Sequence, residues 1–132
     1  MIKVLLDENL SEYLAEGLNK MQYPLQDDIA VTSIAKEFAK GVKDEDWIPV
    51  WGKQKGIFIT QDIKITTRRQ QARLLTEYQM GAFFLDVPKN YRYWDKVKVI
   101  VLRWQEVVEA IKSSRRPFAF TITPRKVQRI SL

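Results

Sequence analysis

The stretch Ile2-Lys3-Val4-Leu5-Leu6-Asp7-Glu8-Asn9 opens the chain. Its β-branched and aliphatic residues make one short buried strand, after which the chain turns acidic at once. The same grammar returns at Gly56-Ile57-Phe58-Ile59-Thr60-Gln61-Asp62, an apolar run that again stops on an aspartate. Open α/β sheets bind ligands in the crevice beyond the carboxyl ends of their strands. Two buried strands that each deliver an Asp there predict a site around Asp7 and Asp62.

The flanking sequence supplies the rest of such a sheet. Asn9-Leu10-Ser11-Glu12 has the form of a helix start, with Asn9 as N-cap and Glu12 as its reciprocal partner, and Leu10, Leu14 and Leu18 carry a helix to about Lys20. Residues 23–28 read as a surface loop and residues 29–34 as a second strand, followed by a helical turn through Phe38 that Gly41 ends. Asp44-Glu45-Asp46 ahead of an apolar periodic run marks another helix N-terminus, with Pro49 tolerated near its first turn. Thr66 or Thr67 then caps a helix to about Gln79 that Gly81 stops. Ala82-Phe83-Phe84-Leu85 is an apolar strand, and Trp94 to Ser113 is the longest helical pattern, with Val97, Val101, Trp104, Val108 and Ile111 on one face. Residues 118–122 alternate as a strand, and residues 127–132 pair with it as a hairpin or edge. Strands alternating with helices predict a mainly parallel sheet covered on both faces, hence one three-layer α/β/α domain over residues 1–132.

A chain of 132 residues buries roughly two-thirds of its unfolded surface as a single domain. It contains neither cysteine nor histidine, which removes disulfides, thiolate chemistry and an imidazole base. Carboxylates, hydroxyls, lysines, arginines or a metal held by oxygen ligands must carry any chemistry. The first apolar run is too short for a signal peptide and none approaches the ~20 residues of a membrane span. A cytoplasmic protein, with no part in the membrane, is the expectation. Net charge is +6, unevenly divided: residues 1–62 hold 7 Lys/Arg against 11 Asp/Glu, and residues 63–132 hold 15 against 5. That asymmetry points to a polyanion held by the second half with carboxylates of the first half nearby.

Asp7 and Asp62 end strands, and Asp44 opens the helix that leads back to the strand before Asp62, so all three can share one pocket. Clustered carboxylates raise each other's pKa and stay ionised when a divalent cation neutralises them. Oxygen-only ligands suit Mg²⁺ or Mn²⁺, completed by a substrate phosphate, which is the equipment of a phosphodiesterase. Each acid also has a plainer reading: Asp44 as a helix cap, Asp62 as a turn cap, and Glu8, Glu45 and Asp46 as exposed first-turn acids. Asp7 is not needed as a cap.

Leu6-Asp7-Glu8-Asn9-Leu10-Ser11, Gly41 with Asp44-Glu45-Asp46-Trp47-Ile48, and Ile59-Thr60-Gln61-Asp62 together resemble, in order and spacing, the PIN-like nuclease domains of the VapC toxin type, in the compact subgroup that opens with Asp-Glu-Asn. The likeness runs over nearly the whole chain and implies a PIN-like fold that cuts RNA by water attack with one or two Mg²⁺ or Mn²⁺ ions. Carried over residue by residue, it implicates Asp7, Asp44 and Asp62 as catalytic metal ligands, with Glu8, Asn9, Asp46 and Thr60 supporting them. At one position the chain departs: many relatives have a second acid two residues beyond the last aspartate, where this sequence has Lys64. The departure weakens a second metal and offers a cation for phosphate instead. Lys64, Arg68, Arg69 and Arg73 then form a basic rim that grips RNA phosphates. Arg115, Arg116, Arg125, Lys126 and Arg129 add charge farther along, and Trp47, Trp51, Trp94 and Trp104 read as core residues.

The resemblance implies the ribonuclease half of a toxin–antitoxin pair, with a small antitoxin as partner and, as in many PIN toxins, a homodimer. Two other readings stay open: a catalytically silent PIN-like module that binds RNA or protein, which Lys64 favours, and a receiver-like phosphoryl-transfer domain, which lacks a strand-end lysine after Phe83 to Leu85.

Overall fold

The structure is a computed structural model that describes residues 1–61 and 65–131, without the side chains of residues 65–71. Its elements in chain order are β1 (Ile2–Leu6), α1 (Glu12–Gln22), a 3-10 turn (Tyr23–Leu25), β2 (Ile29–Ser33), α2 (Ile34–Glu37) and α3 (Asp44–Lys53). β3 (Ile57–Thr60), α4 (Ile65–Tyr78), β4 (Gly81–Leu85), α5 (Tyr93–Ser113), β5 (Phe118–Ile122) and β6 (Val127–Arg129) complete it. One six-stranded sheet has the order β2-β1-β3-β4-β5-β6. β6 runs antiparallel to β5, and every other neighbouring pair is parallel.

The strand sequences explain this placement. Ile57-Phe58-Ile59-Thr60, Gly81-Ala82-Phe83-Phe84-Leu85 and Phe118-Ala119-Phe120-Thr121-Ile122 are buried at every position, as strands covered on both faces must be. Alternate side chains divide between two cores. Val4, Leu6, Ile59, Phe83 and Phe120 meet α1 and α5 on one face. Leu5, Phe58, Ala82 and Phe84 meet Trp47 and Trp51 of α3 and Leu75 of α4 on the other. The three-layer α/β/α expectation holds. No helix among the described residues is long and apolar enough to cross a membrane.

Several local expectations are corrected. The N-cap of α1 is Ser11, whose hydroxyl accepts from the Tyr13 and Leu14 N–H groups at 3.0 and 3.4 Å. Asn9 is displaced from that role because the Leu10 N–H turns back onto the Asp7 carbonyl at 2.9 Å, which delays the helix. α1 continues to Gln22, where Gln22 is held between the Asp27 carboxylate and the Trp104 indole N–H. Pro49 is the sixth residue of α3, within the second turn rather than the first, and removes the donor that the Glu45 carbonyl would otherwise meet. Gly81 does not stop α4. Gln79, at φ 55°, makes that turn, and Gly81 begins β4, where a Cβ would lie 2.3 Å from the Phe118 ring. Trp94 and Val101 face outward, at 69% and 41% exposure, because α5 turns Val99, Ile100, Val107, Val108 and Ile111 to the sheet.

α5 also takes an unexpected side. β3 to β4 and β4 to β5 each step one strand in the same direction. Yet α4 covers one face and α5 the other. The two crossovers therefore differ in hand, an uncommon departure for parallel strands. It brings α5 beside α1, where Lys112 pairs with Asp27 at 2.9 Å.

Gly81→Ala is expected to destabilise the protein by about 1–3 kcal/mol through overpacking against Phe118. Gly17→Ala, with nothing within 4 Å of the added Cβ, is expected to stabilise it by up to about 1 kcal/mol. Urea unfolding midpoints of the two variants, moving in opposite directions, check both.

Candidate active site

The chain leaves β1 for α1 on one face of the sheet and leaves β3 for α4 on the other. The two neighbouring strands thus part at their carboxyl ends and open a crevice between them, the switch point of a doubly wound sheet. Asp7 is the first residue beyond β1. Its N–H donates to the Ile59 carbonyl of β3 at 3.0 Å, so the backbone is pinned to β3 before the side chain is placed.

The Asp7 carboxylate is half-buried and held at both oxygens. Its Oδ2 accepts from the Thr60 hydroxyl at 2.7 Å, and its Oδ1 accepts from the Glu8 N–H at 2.6 Å. Thr60 is 1% exposed at the end of β3, so the donor comes from a rigid element. Burial pushes the Asp7 carboxyl above its ordinary value. The two hydrogen bonds oppose that rise, and the negative charges of Asp44 and Glu8 add to it.

Asp44 is thus close enough for its charge to be felt at Asp7. It is not an N-cap: Lys43 occupies that position and Asp44 is the first residue of α3. Its Oδ1 accepts instead from the Trp47 indole N–H at 2.9 Å. Trp47 is 1% exposed and packs edge-on against Phe58 of β3, with ring centroids 5.3 Å apart. The strand that orients Asp7 through Thr60 thus also steadies Asp44, by way of Trp47. Asp44 and Trp47 stand three residues apart on one helix, a spacing at which side chains meet. That spacing is the signal the sequence carries for the role of Trp47.

Glu8 contributes differently. Its Oε1 accepts from the Gly41 N–H, tying the loop after β1 to the loop before α3. Gly41 has φ +80°, which a glycine adopts without strain. α2 has already ended at Glu37, so Gly41 shapes this tether rather than stopping a helix. Asn9 and Asp46 are exposed, and among the described residues their side chains make no hydrogen bond to the site.

Asp62 and Lys64 lie outside the described residues, as do the side chains of Arg68 and Arg69, whose backbone belongs to α4. Arg73, further along α4, is exposed. Part of the later basic group lies elsewhere: Arg116 donates to the Lys55 carbonyl and Arg129 to the Ser114 hydroxyl, at the amino ends of β3 and β5, away from Asp7. Among the described residues, which exclude Asp62, no group of three carboxylates could hold a metal ion. Asp7 and Asp44 supply two oxygen donors of the hard kind that Mg²⁺ or Mn²⁺ takes.

A family model described as a PIN like domain matches residues 2–87, well over half of the chain, from β1 to just beyond β4. No curated protein matches, and no solved structure does.

Because folding raises the Asp7 carboxyl above its ordinary 3.8, its protonated form favours the folded state. This contribution is present below the unfolded value and is lost as pH rises through the folded one. Asp7→Asn keeps both contacts, its carbonyl accepting from Glu8 and its amide donating to the Thr60 oxygen. In EDTA at pH 7 the variant is expected to melt above the parent, with the advantage vanishing as pH falls below about 4. Melting curves of both proteins across that range check it.

Proposed function

The chain belongs to the family of PIN-like domains, and from that premise we propose that it is a metal-dependent endoribonuclease using Asp7, Asp44 and Asp62 to hold Mg²⁺ or Mn²⁺. Nuclease-type or nucleic-acid-binding function is what that family suggests. The observation that carries the finer reading is the Asp7 carboxylate, oriented by Thr60 across the crevice and made less acidic by burial and by the Asp44 charge. A cation relieves that situation, and the all-oxygen donor set suits these two ions. Such an ion, when bound, lowers the pKa of a coordinated water and polarises the phosphate that the water attacks.

The chain's own residues divide the remaining work. Thr60 and the Glu8 N–H each engage one oxygen of Asp7, and Trp47 fixes Asp44. Glu8, through Gly41, keeps the loops after β1 and before α3 together. In this reading Asp62, two residues after Thr60, supplies the third carboxylate, with Asn9 and Asp46 nearby as supporting polar groups. Lys64, Arg68, Arg69 and Arg73 draw the RNA backbone toward the carboxylates. The Asp7-Glu8-Asn9 opening supports assignment to the VapC toxin type, with a small antitoxin as partner, self-association as a homodimer and a cytoplasmic site of action.

A second reading, a silent module that binds RNA or protein, is favoured by Lys64, which places a cation where many PIN relatives carry an acid. Asp7→Asn and Asp62→Asn are expected to abolish cleavage of single-stranded RNA in Mn²⁺ while leaving the circular dichroism spectrum unchanged; cleavage at the parent rate by either variant would sink the nuclease. Calorimetric titration separates the readings, since Mn²⁺ uptake belongs to the nuclease alone. Thr60→Val, which removes a donor to Asp7, is expected to weaken Mn²⁺ binding about 10–100-fold, and Thr60→Ser to restore most of it.

A further inference from the structure

On the β2 side of Asp7, between the ends of β1 and β2, lies a cleft of about 340 Å³, within the ~300–1,000 Å³ of small-molecule sites. Leu6, Leu10 and Ile34 line it, all buried, and Tyr13, 71% exposed, stands at its rim. Glu12 and Lys40 stand in the wall beside Asp7 and Glu8. These groups differ in what they already hold. Asp7 accepts two hydrogen bonds and Glu8 accepts that of Gly41. Glu12 is half-buried and, among the described residues, its carboxylate has no hydrogen-bond or ion-pair partner.

Asp7, Glu8 and Glu12 line this cleft with one lysine, Lys40, so its net negative field disfavours a phosphate inside and favours a neutral ring that brings N–H donors. An apolar floor, an aromatic side chain at the rim and a carboxylate on the wall are the features that hold a nucleobase. We propose that the cleft is a nucleobase subsite in which Tyr13 stacks on the ring and the Glu12 carboxylate accepts a hydrogen bond from an exocyclic amino group. Adenine, cytosine and guanine carry that group. Uracil presents a carbonyl oxygen where cytosine has its amine, and an oxygen there is repelled by the carboxylate. The subsite adjoins Asp7, so it seats the base next to the phosphate that is cut. In that role, though not in its selectivity, the proposal rests on the nuclease reading.

The test titrates cytidine and uridine, both uncharged, into the metal-free protein and follows by NMR the Tyr13 ring protons together with the backbone amides of Leu10, Glu12 and Ile34, the amides alone serving for Tyr13→Ala. Cytidine is expected to bind on the order of tenfold more tightly than uridine, the scale of one hydrogen bond to a charged group. Glu12→Gln, whose amide both donates and accepts, is expected to bring the two within about twofold of each other, and Tyr13→Ala to weaken both about tenfold. Equal binding by the parent protein, unchanged discrimination in Glu12→Gln, or no saturable shift of the Tyr13 ring overturns the proposal. The titration involves no cleavage. A protein that discriminates but never cuts RNA overturns the nuclease and leaves the subsite standing, whereas one that cuts RNA yet binds both nucleosides equally overturns the subsite alone.

Discussion

The hydrogen bond from the Thr60 hydroxyl to the Asp7 carboxylate joins two strands that are about to part, and the site depends on it. It exists because β1 and β3 pair with Leu6 opposite Ile59, which leaves Asp7 and Thr60 as the next residues on each chain. A slip of one residue would turn Val4 and Leu6 out of the core they share with α1, and Leu5 out of the core it shares with Trp47 and Trp51. The packing of both faces therefore sets the position of the carboxylate.

The same placement carries a cost. A carboxyl taken partly out of water, with Asp44 and Glu8 adding negative charge, opposes the fold at neutral pH. A local rule of stability is broken here, as is expected where function rather than packing selects a residue. The neighbours show the contrast. Trp47 satisfies its indole N–H on Asp44 while filling the core against Phe58, and Trp51 satisfies its own on the Ile57 carbonyl. Each serves the strand that ends at Thr60.

Among the described residues, several cations of the basic second half lie apart from one another. Lys112 pairs with Asp27 and Arg103 with Glu106, Arg116 closes onto the Lys55 carbonyl, and Arg129 lies over the Phe120 ring at 5.0 Å. These cations are distributed around the sheet, several of them at the end opposite Asp7. Net charge measures their number but not their direction.

Much of this protein was legible before folding. Continuous apolar runs that stop on Asp7 and at Thr60-Gln61-Asp62 announced buried parallel strands, and acids ahead of Trp47 announced α3, because strand burial and helix ends leave their marks within a few residues. The likeness to PIN-like domains rested on those same short stretches, and the family match spans them. What the sequence could not decide was relational. It did not tell that Ser11 rather than Asn9 caps α1, since a turn of Leu10 onto Asp7 intervenes. Nor did it show that Asp44 bonds an indole instead of capping its helix, that Gly81 makes room for Phe118, or that α5 crosses to the side of α1 and leaves Trp94 outside. Each of these depends on which distant surfaces meet, and a periodicity records that a face is apolar without recording what covers it.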